Sequence, residues 1–226
     1  AFANTEAHLL YQKQHICDFS VADKLREASA RLGIETDVVT PFAALPWEDN
    51  PRRHQRRAIN WAREKYKRLP LPLPARPKMR SERLKIGYLS ADFHDHATMH
   101  LMAGLLRRQD RTSFETLAYS YGRRKSENWR KRIENDVDQF FDVTDQSDRQ
   151  IVDFVRSHAL DIAIDLKGYT THTRSQLFQY RLAPIQINYL GYPGSMGAEF
   201  IDYIIADPVV IPAEQRQFYS EKVIYL

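Results

Sequence analysis

Two different rhythms of apolar and polar positions divide the chain. Residues 2–16 and 20–32 read as two helices, the second opening with Ser20 and Asp23 spaced as a capping box and stopping at Gly33. This pair, over 1–33, is the size of one helical-repeat unit. After a loop at Thr40–Asp49, Asn50 and Pro51 supply the N-cap and first turn of a helix reaching about Arg68. Pro70, Pro72, Pro74 and Pro77 then predict a stiff extended linker, so 34–83 reads as a connecting segment. Beyond it, short β-rich runs at 84–90, 114–121, 139–143, 160–166, 185–190, 201–206 and 222–226 alternate with helical stretches. Those stretches lie near 98–108, 126–135, 147–158, 173–180 and 213–219. The alternation predicts a parallel sheet covered on both faces, a Rossmann-like α/β lobe over 84–226. Ligands of such sheets gather at the carboxyl ends of the strands.

Composition sets the class. With 226 residues, 43% of them apolar and 27% charged, the chain is long enough to bury a core and is neither disordered nor collagen-like. One cysteine, Cys17, excludes an intrachain disulfide and makes a cytoplasmic protein the default expectation. Neither a membrane span nor a signal peptide is expected, since no run of about 18 apolar residues and no charged-then-apolar leader occurs. The net charge of +4 is unevenly spread: residues 52–85 hold 13 Lys and Arg against Glu64 and Glu82, so the rest of the chain is net acidic. Trp61 and Tyr66 interleave with these bases in the manner of a nucleic-acid site. Ala58, Ile59, Ala62 and Tyr66 fall at helical spacing, however, so the aromatics face a core and the charges a solvated or interdomain surface. No nucleic-acid partner is expected.

Three loops at strand ends carry the candidate chemistry. The first, Ser90 to His100, packs His94, His96, His100, Asp92 and Asp95 around a helix N-terminus, which suits a general base, an anion site or a set of hydrogen-bonded caps. His96 and His100 share a helix face if both are helical. Neither an HExxH-type glutamate nor a further Cys/His pair accompanies them, so no metal site is expected. The second loop, Lys167 to Arg174, offers a permissive glycine, hydroxyls and an arginine suited to phosphate or a polar substrate. In the third, Gly191, Gly194 and Gly197 recur at every third position, which lets backbone N–H groups approach a ligand closely. Hydroxyl-capped and tight turns explain the second and third loops equally well. Asp136-Val137-Asp138 matches a DxD pattern formally but sits at a helix end, where a solvated turn is expected.

Taken together, LKIGYLSADFHDHATMHLM, DLKGYTTHTR, APIQINYLGYPGSMGAEFIDYIIAD and YSEKVIYL resemble the catalytic region of the protein O-GlcNAc transferase and SPINDLY-like family, of the glycosyltransferase family 41 type. The similarity is strong over 84–226 and weaker over 9–68, where the helical pair is similar to the end of a tetratricopeptide-repeat region. The resemblance implies a GT-B fold of two Rossmann-like lobes, of which this chain is the N-terminal one. It implies UDP-N-acetylglucosamine as donor, protein Ser/Thr hydroxyls as acceptors, inversion at the anomeric carbon and no metal or other cofactor. By the same resemblance, Asp92 and His96 match the family's DFxxH loop at the active site, and Thr98 a threonine near donor sugar and phosphate. Thr170 and Arg174 match the GYT loop on the rim, and Leu190, Gly191, Tyr192 and Pro193 the LGYP wall facing the donor sugar.

Three departures stand out. Animal members have a histidine-rich stretch where this chain reads Asp37 to Phe42, so Phe42 is expected to pack rather than react, as in a bacterial form. Ala97 replaces a proline and Ser195 a threonine. The family's leaving-group lysine and most uridine contacts belong to a C-terminal lobe that the chain does not contain, so the piece alone is expected to be nearly inert. The rival readings are a SPINDLY-like transferase using another sugar nucleotide such as GDP-fucose, and a non-catalytic module that docks protein or peptide through the basic helix.

Overall fold

The computed structural model describes residues 2–36, 38–68, 70–73, 82–123 and 127–226. Asp37 and the linker prolines Pro74 and Pro77 lie outside the described residues, as does the first residue of the stretch read as helical from 126; Pro70 and Pro72 lie outside regular structure. The fold divides into two compact units. The first comprises Ala1–Lys67, Pro193–Glu199 and Ala206–Leu226, the second Arg68–Tyr192 and Phe200–Ile205.

In the first unit α1 (Phe2–His15) and α2 (Ala22–Arg31) bury Ala3, Ala7, Leu10, Ala28 and Leu32 with Val39, Ala44 and Trp47. The Ser20–Asp23 capping box does not form. Asp18 takes both the amide and the hydroxyl of Ser20, at 3.0 and 2.5 Å, and so caps a 3₁₀ turn, Phe19–Val21, while Asp23 pairs with Arg26 at 3.1 Å. The loop read at Thr40–Asp49 instead holds α3 (Pro41–Ala44) and a 3₁₀ turn (Leu45–Trp47), each with proline in its first turn, where the missing N–H costs nothing. Helix α4 (Pro51–Lys65) starts as the sequence implies, Asn50 accepting the Arg53 amide at 3.0 Å.

One of its charges departs from the solvated face. Arg57 is fully buried: it pairs with Glu48 at 2.8 Å, donates to the Leu32 carbonyl at 2.9 Å and also reaches the Ser29 carbonyl. The guanidinium thus joins the end of α2 to α4, and its five N–H groups explain why an arginine is retained in an otherwise apolar contact.

The seven strands are β1 (Leu84–Ser90), β2 (Phe114–Ser120), β3 (Gln139–Asp142), β4 (Ile162–Asp165), β5 (Ile185–Tyr189), β6 (Tyr203–Ala206) and β7 (Lys222–Tyr225). Their order in the sheet is β3-β2-β1-β4-β5-β6-β7. Pairs from β3 through β6 are parallel, with Ser90 opposite Ser120, Leu89 opposite Asp165, and Asp165 opposite Asn188. On one face Ile86, Tyr88, Ala118, Ile164 and Ile187 pack with Met99, Met102 and Leu106 of α5 (Ala97–Arg108) and with Ile133 of α6 (Glu127–Asp136). On the other, the Tyr119 ring meets Phe154 of α7 (Asp148–Ser157) edge-on at 6.3 Å.

The last two stretches read as helical, 173–180 and 213–219, are 3₁₀ turns, Ser175–Tyr180 and Ala213–Phe218. The first is held short at both ends, because the Ser175 hydroxyl bonds Asp165 and Arg181 turns left-handed at φ 58. Among the described residues no helix is long and apolar enough to cross a membrane.

Replacing Arg57 by alanine leaves Glu48 only its ion pair with the part-exposed Arg53 and is expected to cost roughly 1–3 kcal/mol in urea unfolding, and a double replacement with Glu48→Gln to recover part of that loss. A loss under about 0.5 kcal/mol would place Arg57 with ordinary surface arginines.

Candidate active site

The strand order reverses between β1 and β4. The chain leaving β1 goes on to β2 on one side, and the chain leaving β4 goes on to β5 on the other. Connections diverging from neighbouring parallel strands open a crevice at their carboxyl ends. The candidate loops of Asp92 and of Lys167 leave the sheet at this seam.

Two close backbone approaches shape it. A Cβ on Gly122 would come within 1.9 Å of the Ala91 carbonyl oxygen, so only glycine lets the chain after β2 lie against the first loop. A Cβ on Gly191 would stand 2.1 Å from the Leu166 carbonyl oxygen, and Leu190 just before it adopts a left-handed φ of 69.

Asp92 is the hub of the first loop. It is buried, and its Oδ2 accepts the Lys167 ammonium at 2.6 Å; Lys167 is itself only 5% exposed. His96 Nδ1 lies 3.6 Å from the same oxygen, and His94 Nε2 3.9 Å from Oδ1. His96 does not share a helix face with His100. It is extended, at φ −152, and is the N-cap of α5, its Nδ1 accepting the Thr98 amide at 3.2 Å. An Nδ1 that accepts this amide is unprotonated, which leaves Nε2 as the ring's donor. Thr98 is buried with its hydroxyl 3.2 Å from the same nitrogen. His100 turns to Asp95 at 2.8 Å and to the Trp129 ring. Cap and candidate catalytic group are therefore one side chain.

The second loop hangs on Asp165, which the sequence reading passed over. Fully buried at the end of β4, it accepts the amides of Lys167 at 2.8 Å and Gly168 at 3.1 Å and the Ser175 hydroxyl. Burial pushes its carboxyl above the usual range, against the pull of those donors and of Lys167. Burial also raises Tyr121, with Asp165 and Asp92 adding to the effect. Thr170 donates to the Lys167 carbonyl at 2.9 Å. Arg174 is held by Asp148, at 2.8 Å from Nε, and by the Gln146 carbonyl, and stands 6.0 Å above the Tyr121 ring.

In the third loop the glycines at 191 and 197 face protein backbone. The Gly191 amide is bonded to the Tyr189 carbonyl at 2.9 Å, and a Cβ on Gly197 would meet the Ile59 nitrogen of α4 at 2.4 Å. Tyr192 is buried against the Tyr169 ring, and its carbonyl accepts Asn188 at 2.9 Å. Pro193 is exposed, with its carbonyl bonded by Tyr219 at 3.0 Å. Just beyond, buried Glu221 takes the Ser195 hydroxyl at 2.8 Å and the Met196 amide at 2.6 Å. Burial raises its carboxyl too.

The structure thus brings Asp92, His96 and Thr98 together with Lys167. It gives Thr170, Arg174, Gly191 and Tyr192 protein partners of their own. Lys167, Asp165 and Glu221 were missed as site residues. A signal for the first two was present, an acid and a lysine closing the apolar run of a parallel strand. Asp138 of the DxD pattern serves the sheet, accepting the Thr116 amide at 2.8 Å and Arg83 at 3.2 Å. Among the described residues no group of three or more His, Cys, Asp or Glu is placed to hold a metal ion.

A parallel sheet with its polar groups collected at such a seam defines a Rossmann-like α/β protein of the ligand-binding class. The chain belongs to glycosyl transferase family 41, whose profile matches residues 52–226. It is 36% identical over 157 residues to a probable UDP-N-acetylglucosamine–peptide N-acetylglucosaminyltransferase, SEC, of Arabidopsis thaliana, covering 70% of this chain and 16% of that protein. To the UDP-N-acetylglucosamine–peptide N-acetylglucosaminyltransferase of Caenorhabditis elegans it is 35% identical over 146 residues, covering 64% of this chain and 13% of that one. A solved variant of the Thermobaculum terrenum O-GlcNAc transferase shares the fold at a TM-score of 0.72 and 23% identity, over 92% of this chain and 42% of that one. The chain spans less than a fifth of the length of these curated relatives.

The raised carboxyl of Asp165 has a signed consequence. The folded state holds this proton more tightly than the unfolded chain, whose aspartate titrates near 3.9, so its contribution to stability falls as pH rises from about 4 through the raised value. In Asp165→Asn that decline is absent, and urea midpoints measured from acid to neutral pH are expected to shift in the variant's favour as pH rises. A shift in favour of the wild type would mean that the hydrogen bonds and Lys167 outweigh burial.

Proposed function

We propose that this chain forms one lobe of an inverting glycosyltransferase that moves N-acetylglucosamine from UDP-N-acetylglucosamine to Ser and Thr hydroxyls of proteins. The observation that carries the reading is the Asp92, His96 and Lys167 cluster at the β1–β4 seam of a family 41 chain. Both curated relatives are named for this donor and for peptide acceptors, which favours it over GDP-fucose and over a non-catalytic docking module.

In this reading the donor sugar lies along Leu190 to Pro193, with Thr98 and Thr170 toward its hydroxyls and phosphate and Arg174 on the rim. The acceptor oxygen attacks the anomeric carbon as the bond to UDP breaks on the opposite face, which inverts the centre. His96, its neutral ring protonated at Nε2, donates a hydrogen bond that holds donor and acceptor in line, and the acceptor's proton passes to a phosphate oxygen of the departing UDP. Asp92 and Lys167 set the local field. Asp92 and Asp165 are engaged by Lys167 and by loop N–H groups. That engagement supports a reaction without a metal or other cofactor.

The uridine and the charge of the leaving diphosphate are assigned to a second, C-terminal lobe outside this chain, without which transfer is slow by orders of magnitude. This fits the 42% of the structurally similar chain that the present one covers. We place the protein in the cytoplasm, with no nucleic-acid or membrane partner.

In an assay that pairs this chain with a nucleotide-binding lobe of the family, His96→Ala is expected to lower transfer to an acceptor peptide by roughly 10²-fold, the scale of lost positioning. Unchanged transfer would remove His96 from the mechanism and sink this reading of the site.

A further inference from the structure

We propose that Lys167 is a positioning residue that sets the tautomer of His96 by holding the Asp92 carboxylate away from it. The functional consequence rests on the glycosyl-transfer reading above; the tautomer itself does not.

One carboxylate oxygen is approached by two side-chain nitrogens. Asp92 Oδ2 accepts Lys167 Nζ at 2.6 Å, whereas His96 Nδ1 stands 3.6 Å from it, beyond hydrogen-bond reach. The ammonium is buried together with its partner, 6% and 8% of the side chains being exposed, so the pair is screened little by water. With Asp92 so occupied, His96 Nδ1 turns to the N-terminus of α5 and accepts the Thr98 amide at 3.2 Å. An N–H donor and the positive end of a helix both disfavour a proton on that nitrogen.

The neighbouring imidazole of His94 leaves this balance in place. His94 directs Nδ1 to the Asp95 carbonyl at 3.0 Å and leaves Nε2 3.9 Å from Asp92 Oδ1. The two imidazoles meet edge to face at 5.5 Å.

Without the ammonium, His96 Nδ1, at 3.6 Å, is the nearer of the two imidazole nitrogens that face the buried carboxylate and can donate to it once protonated. A charge-assisted bond to it is stronger than the neutral one from the Thr98 amide. The proton then moves from Nε2 to Nδ1, and His96 changes from a hydrogen-bond donor toward the reactants into a base of the carboxylate–histidine kind. Lys167 thus chooses between two chemistries for the same histidine.

Histidine side-chain ¹⁵N spectra of this chain decide the matter, recorded at a pH where the imidazoles are neutral, with His96 assigned by the signal lost in His96→Gln. The wild type and Lys167→Arg are expected to show the proton on Nε2. Lys167→Met is expected to move it to Nδ1, changing the tautomer ratio about tenfold or more. A proton on Nδ1 in the wild type overturns the proposal, as does Nε2–H retained in a folded Lys167→Met.

If the methionine variant does not fold, the unsubstituted chain still tests the premise. Its Lys167 ammonium, identified as the resonance missing from Lys167→Arg, is expected to be protected from solvent exchange, and rapid exchange overturns the proposal. Because these spectra need no donor or acceptor, they stand apart from the His96→Ala transfer assay, so failure of one is distinguishable from failure of the other.

Discussion

The ion pair between Lys167 and Asp92 is the contact on which the rest of the candidate site depends. It joins the loop after β1 to the loop after β4 across the reversal of strand order, and both partners are withdrawn from water. Burying two charges costs several kcal/mol per ion unless geometry and further hydrogen bonds compensate. Here the loop amides after β4 converge on Asp165, the Asp92 amide bonds Ser90 Oγ at 3.0 Å, and Gly122 presses backbone against Ala91. Each of these fixes the loops that present the pair, so the charges are placed before any ligand arrives. Preorganisation of this kind is what lets a polar site act on developing charge without reorganising.

A recurring economy follows from the same placement. His96 is at once the N-cap of α5, accepting the amide of buried Thr98, and a side chain beside Asp92 at the seam. The backbone at Gly191 lies directly on the Leu166 carbonyl, and Leu190 beside it packs against the hydrophobic core under the sheet. Arg174 in the loop after β4 is tied to Asp148, which fixes its direction.

Much of this was legible in the chain. The strands from β1 to β7 were read within a few residues, because alternation of apolar runs with helical stretches is a local property. The Asn50-Pro51 start of α4 was equally plain, since a cap and a first-turn proline act within four residues. The errors have one source. Ser20 was given to a capping box that Asp18 pre-empts, Arg57 to a solvated or interdomain face though α2 and Glu48 enclose it, and the helix face that His96 and His100 would share if both were helical is lost because His96 caps the helix. In each case a competing partner elsewhere in space took the group, and spacing along the chain carries no record of it.

The sequence by itself therefore determined the sheet, the loops that carry polar groups, and through its motifs the family. Hydrophobic period and turn chemistry are written within a few neighbouring residues. Only the tertiary structure decided that Lys167, seventy-five positions from Asp92, is its partner. It alone decided that Asp165, the last residue of β4, is a buried anchor for the loop that follows, and that a histidine beside a carboxylate stands out of bonding distance from it. Those outcomes depend on which groups meet out of water, where a charge must find its counterpart, and that meeting is made by the fold.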